Sequence, residues 1–171
     1  MPGDGLVPQP HLESTRAITI QQPPDAVWPW IAQLGQGRGG FYSYDALENL
    51  LGMDIHSADR IVAAWQEVHA GDDVHLVAEV ALTVAEADAP RALVLRGGVP
   101  MGEAPSPFDF TWAFVLRAGP DGGTRLVVRE RYRSRFQGTG LMFEPVAVIS
   151  FIMSQKMMRG IRDRAEAVST Y

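Results

Sequence analysis

Cysteine is absent from the 171 residues, which excludes disulfides, thiol nucleophiles, thiolate metal sites and iron–sulfur clusters. Cations are in deficit: 15 Lys and Arg against 20 Asp and Glu leave a formal net charge of −5. A dedicated nucleic-acid binder needs a clustered cationic surplus to neutralise phosphates, so that class is set aside, although a local basic face is still permitted. Long apolar runs are also lacking. The longest, residues 146–153, is interrupted by Ser150 and falls well short of the roughly 20 residues that a membrane-spanning helix needs. Residues 1–13 contain Pro2, Pro8 and Pro10 but neither a cationic n-region nor an apolar h-region, so no signal peptide is expected there. The expectation is a soluble, cytoplasmic protein with no transmembrane segment and no nucleic-acid partner.

What is present is an ordinary globular balance, 46% hydrophobic and 20% charged residues, in a length suited to one core. Residues 1–13, rich in Pro, Gly and polar side chains, read as a flexible arm, and residues 14–171 as a single domain. Residues 16–22 alternate as a first strand that stops at Pro23 and Pro24. Pro24 suits a first helical turn, and Val27, Trp28, Ile31 and Leu34 follow at helical spacing. Asp45 and Glu48 have the spacing of a capping box before a second short helix over residues 46–51. A connection follows, with a short helix expected near 58–64. From Gly71 the period changes to two. Residues 74–77, 80–87, 91–96, 108–116 and 124–136 read as strands of an antiparallel meander, separated by Asp, Pro and Gly punctuation. Pro145 then opens a long amphipathic helix of about 24 residues, some 36 Å by the helical rise.

Strand, two short helices, a run of strands and a long final helix define an α+β chain. A curved antiparallel sheet of about six to seven strands must cover its apolar face, and only the final helix is long enough to lie across it. That is a helix-grip arrangement, and an internal pocket between sheet and helix is expected.

The segments Arg16-Ala-Ile-Thr-Ile, Pro23-Pro-Asp-Ala-Val-Trp-Pro-Trp, Gly35-Gln-Gly-Arg-Gly-Gly-Phe-Tyr-Ser-Tyr-Asp45, Glu48-Asn-Leu-Leu-Gly52 and Ala58-Asp-Arg-Ile61 resemble the SRPBCC superfamily. Within it they are most similar to a bacterial subgroup distantly related to START lipid-transfer domains, the birch pollen allergen and polyketide cyclases. The resemblance covers about residues 14–168, by motif in the first third and by pattern in the later strands. It implies a helix-grip fold and often a cavity for a hydrophobic ligand. It does not imply one chemistry, because binders, carriers, cyclases and chaperone cofactors share the scaffold.

The residues themselves supply candidates. Phe110, Trp112, Phe114 and Leu116 share one strand face, and Leu126, Val128, Glu130, Tyr132, Ser134 and Phe136 share another. A hairpin centred on Asp121 sets Leu116 opposite Leu126 and Trp112 opposite Glu130. Glu130 then stands among aromatics as a polar anchor, an acid or a base, unless it is paired with Arg96 or another arginine or turned outward. Met153 and Met157, with Met142 and Phe143 at the entrance, either line the cavity or pack the core. Phe41, Tyr42 and Tyr44 either gate the pocket or plug its end. Asp54, His56 and Asp59 form the one cluster with acid–base flavour, but their spacing is no recognised metal pattern; Asp59 and Arg60 are expected to hold the connection. The Gly35-x-Gly37-x-x-Gly40 match to a dinucleotide fingerprint follows a helix rather than a strand, so nucleotide binding is not expected. No metal and no cofactor is implied. Arg125, Arg129, Arg131, Arg133 and Arg135 form a row on the other face of their strand, to be paired with acids on neighbouring strands or offered to an anionic partner.

Three functions follow: binding of a small hydrophobic molecule, with Trp112, Phe114, Tyr132, Met153 and Met157 as wall and Glu130 or Arg96 as anchor; a cyclase-like enzyme in which Glu130, Tyr132 or His56 transfers a proton; or a protein-interaction domain with a collapsed cavity.

Overall fold

The first strand, β1 (Leu12–Ile20), ends just before two successive prolines, and Pro24 opens helix α1 (Pro24–Ala32) in the one turn that needs no N–H. The computed structural model describes residues 1–43, 56–98, 106–135 and 143–167, with backbone alone for 143–151. Alternating apolar positions then form β2 (Asp73–Val77), β3 (Val80–Asp88), β4 (Ala92–Gly97), β5 (Phe108–Ala118) and β6 (Thr124–Ser134), and the chain closes with helix α2 (Phe143–Ala167). All six strands make one antiparallel sheet in the order β1-β6-β5-β4-β3-β2, so the first strand pairs with the last. The sheet curves about α2 in a helix-grip fold. The short helix expected over 46–51 lies outside the described residues.

The concave face and α2 meet in one core that includes Ile20, Ile31, Leu95, Phe114, Leu126 and Met157. The buried stripe of α2 runs through Ser154, Met157, Met158, Ile161 and Ala165. Met153 is half-buried beside it, so the stripe is rotated by one residue from a Met153-centred face. Met157 belongs to the core.

The connection over 56–66 contains only one short 3-10 turn, Ala63–Trp65, where a helix near 58–64 is expected from sequence. Its backbone is held by distant side chains instead of by local periodicity. Gln33, with no solvent exposure, donates through Nε2 to the Tyr42 hydroxyl (2.9 Å) and the Arg60 carbonyl (3.1 Å). Its Oε1 accepts from the Val62 N–H (3.1 Å) and from Gln66 Nε2 (3.2 Å). Arg38 donates to the carbonyls of Ala32 (3.0 Å) and Trp65 (2.6 Å), and Arg164 to that of Ala58 (2.7 Å). Asp59 and Arg60, expected from sequence to brace this connection, have exposed side chains.

Tyr42 is the keystone between this connection and α2. It sits in the left-handed region at φ 55°, its N–H donates to Ser57 Oγ at 2.9 Å, and Arg164 lies over its ring 4.8 Å from the centroid. A Cβ at Gly160 would run into the Tyr42 carbonyl, so α2 approaches this closely only because it carries glycine there. Tyr42 is therefore packed in place from both sides. Burial pushes its phenol up to about 12 from 10.0, with the Gln33 hydrogen bond and the charges of Arg164 and Arg38 pulling the other way.

Residues 1–11, expected to be a loose arm, lie along the convex face of the sheet: Val7 is buried, Asp4 meets Arg129 and Arg131, and the His11 N–H donates to the Tyr132 carbonyl. Ion pairs with the arginine row supply the partners that a Pro- and Gly-rich segment cannot provide for itself.

Gly160→Ala should lower stability by about 1–3 kcal/mol, the cost of overpacking a close helix contact; an unchanged thermal midpoint would show that α2 does not rest on Tyr42. The raised Tyr42 value has its own consequence. Between pH about 10 and 12 the unfolded chain has lost a proton that the folded chain keeps, so stability present in full below pH 10 falls by about 2–3 kcal/mol across that window. Denaturant melts in parallel with phenolate absorbance check this, and Tyr42→Phe should remove that part of the decline.

Candidate functional site

The β5–β6 hairpin aligns Leu116 with Leu126 and Trp112 with Glu130, the register that a turn centred on Asp121 predicts. Every second residue therefore turns toward α2, and Phe110, Trp112, Phe114, Glu130 and Tyr132 share the concave face. Their rings form a continuous wall. Phe110 and Tyr132 lie 4.6 Å apart between centroids, Trp112 and Phe114 5.0 Å, and Trp112 stacks on Phe41 at 6.0 Å and 26°. Trp112 stays partly exposed while Phe114 and Tyr132 are buried. The buried Trp112 indole N–H has no acceptor among the described residues.

Within this wall Glu130 is only 2% exposed, and a carboxylate so placed requires charge and hydrogen-bond partners. Ser154 on α2 donates its hydroxyl to Oε1 at 2.6 Å, and Tyr132 donates to Oε2 at 3.3 Å. The guanidinium of Arg16, itself 8% exposed, faces Oε1 at 3.4 Å. Arg16 comes from β1, opposite Val128 and one diagonal step from Glu130. The buried node thus joins β1, β6 and α2.

Glu130, Tyr132, Trp112, Phe114 and Phe41, all named from the sequence, lie on or against this face, and two further members of the node are not evident there. Arg16 shares the parity of Ile18 and Ile20, which is the signal that it points inward. Ser154 interrupts the buried stripe of α2 as its only hydroxyl among the described side chains. Arg96 is not the anchor: it stands opposite Thr111 and is exposed on the convex face, because its neighbour Leu95 takes the place facing Trp112. His56 is exposed and lies outside the node, as does the exposed Asp59. Met142, Tyr44 and Asp54 lie outside the described residues, and nothing is described of the Phe143 side chain. Among the described residues no three His, Asp or Glu side chains gather to hold a metal.

The glycine loop serves the backbone. Gly35 and Gly40 exchange N–H···O bonds (3.1 and 3.0 Å), Gln36 donates to the His75 carbonyl, Arg38 to that of Gly35 and Gly39 to that of Gln33. Those donors are spent on protein carbonyls instead of a phosphate. Gly40, at φ 68°, passes so near the His56 carbonyl that a Cβ would stand 2.8 Å from it.

No family model matches the sequence, and no curated protein matches it. Solved structures do match in fold. Protein NE0264 from Nitrosomonas europaea superposes with a TM-score of 0.57 at 10% identity, over 96% of this chain and 100% of that one. Protein MLL2253 from Mesorhizobium loti gives 0.53 at 13% identity, over 91% and 98%. Ara h 8.0201 gives 0.53 at 14% identity, again over 91% and 98%. No helix among the described residues is long and apolar enough to cross a membrane. By strand order, gripped helix and these superpositions, the chain has a helix-grip fold.

Proposed function

We propose that the concave face binds a small, largely apolar molecule, with Phe41, Phe110, Trp112, Phe114 and Tyr132 as its wall and the Arg16–Glu130 pair as its polar anchor. One observation carries this reading: an ion pair sits out of water in the middle of an aromatic face. Removing two charges from water costs several kcal/mol per ion, and well-packed apolar residues of the same volume often give equal or greater stability. A ligand that presents a polar atom to an otherwise greasy surface gives the pair a use. The Trp112 indole adds a donor on the same wall. Affinity would come chiefly from apolar burial, roughly 25 cal/mol per Å² before association costs. The superfamily resemblance, with its frequent hydrophobic-ligand cavities, supports the same conclusion.

A cyclase-like reaction in this pocket has one observation in its favour, the Tyr132 hydroxyl on Glu130. Against it, Arg16, Ser154 and Tyr132 already engage the carboxylate, which suits holding charge better than accepting a proton. Binding is the better-supported function.

An uncharged phenyl-naphthylamine dye should bind with enhanced fluorescence, and Trp112→Ala should weaken it by at least ~10-fold through lost apolar contact. Absence of dye binding, together with native mass spectra free of any co-purified small molecule, would overturn the proposal. For the anchor, Arg16→Met should cost about 3–5 kcal/mol by stranding Glu130, while Arg16→Met with Glu130→Met should recover most of that loss. A double variant no more stable than the single one would show that the pair is a structural necessity.

A further inference from the structure

The convex face holds a second organised surface. Ala92, Val94, Ala113, Val115 and Val127 form an apolar patch on β4, β5 and β6, each at most 8% exposed. Convex sheet residues of this fold face away from α2, so another element must cover them. Residues 1–8 do so: Met1 packs on Ala92, Val115 and Val127, and Gly3 lies against Val94. Beside the patch, the Asp4 carboxylate reaches Arg129 at 2.8 Å and Arg131 at 3.1 Å. Arg131 also donates to the Asp4 carbonyl at 2.9 Å, and Arg133 to that of Pro8 at 3.4 Å. Glu13 on β1 shares the same two arginines, at 3.8 and 3.2 Å. An apolar centre with an arginine rim is the composition of a protein-binding surface, and here a segment of the chain already occupies it.

The hinge of that segment is strained. Gln9 adopts φ 54° between Pro8 and Pro10. A non-glycine residue seldom takes the left-handed region, and a residue preceding proline is pushed toward extended backbone. Extending Gln9 would relieve both conflicts and carry residues 1–8 away from their own sheet, by ~3.3 Å per residue at full stretch.

We propose that residues 1–8 exchange between two copies of this chain, the Asp4 of each seated between Arg129 and Arg131 of the other. Every strap contact is preserved in the exchanged pair, and the interface is isologous, as a two-fold dimer requires. The balance then lies between hinge strain, which favours exchange, and the entropy of association, which favours the closed single chain. A short strained hinge is the known physical incentive for such swapping. The occupant is a second copy because the surface already fits this very segment in charge and in shape.

Charge inversion tests the exchange directly. One full-length variant carries Asp4→Arg, and another carries Arg129→Asp with Arg131→Asp. Each alone repels its own strap, whereas an equimolar mixture can satisfy both sites only in trans. Light scattering after gel filtration should show each variant at the mass of one chain and the mixture at twice that mass. A mixture that stays at single-chain mass, while circular dichroism shows both variants folded, would overturn the proposal. If either variant fails to fold, the parent chain decides: its dimer fraction should rise across about a hundredfold concentration range and fall with Gln9→Gly, which removes the hinge strain. A parent chain that remains single throughout that range would equally overturn it.

Discussion

Glu130 cannot sit where it does without three neighbours from three parts of the chain. Arg16 comes from the first strand, Tyr132 from the last, and Ser154 from the closing helix. Because β1 pairs with β6 along nine consecutive positions, from Leu12 with Tyr132 to Ile20 with Thr124, the two ends of the domain meet at this carboxylate. Apolar packing drives the sheet onto α2 in a non-directional way. The buried charge adds direction, since a helix displaced by one residue would withdraw the Ser154 hydroxyl from Oε1. The register of α2 against β1 and β6 is marked at that single desolvated group.

Much of the scaffold is legible from local periodicity. The alternation in β5 and β6, with a turn at Asp121, is enough to place Trp112 opposite Glu130, because pairing a hairpin needs only its own residues. Long-range partners are less accessible. The cation for Glu130 comes from a strand more than a hundred residues away in sequence, whereas Arg96 stands one step of strand parity away, on the convex face. The 56–66 connection shows no period because Gln33, Arg38 and Arg164 hold it from outside, and nothing in its own sequence announces them. The first eleven residues look loose by composition, and only the assembled sheet reveals an arginine row for Asp4 to meet.

Function is legible to a lesser depth, for a physical reason. An aromatic wall with one neutralised ion pair specifies a polarity pattern, apolar nearly throughout with a polar centre, and many molecules share it. The fold adds little discrimination, since one helix-grip scaffold supports carriers, binders and enzymes alike. What separates these roles is whether a charged group is held or is free to react. Here the hydroxyls of Ser154 and Tyr132 and the guanidinium of Arg16 hold it.

The loop bridged by Gly35 and Gly40 has a consequence at the margin of the sheet. It rests its Gln36 N–H on the His75 carbonyl of β2, the outermost strand of the six. An outermost strand is a template on which a foreign strand can stack, and proteins that leave it long and bare tend to form fibres. By occupying one of its acceptors and crowding the approach, a turn that resembles a nucleotide cradle acts as a guard against runaway self-addition.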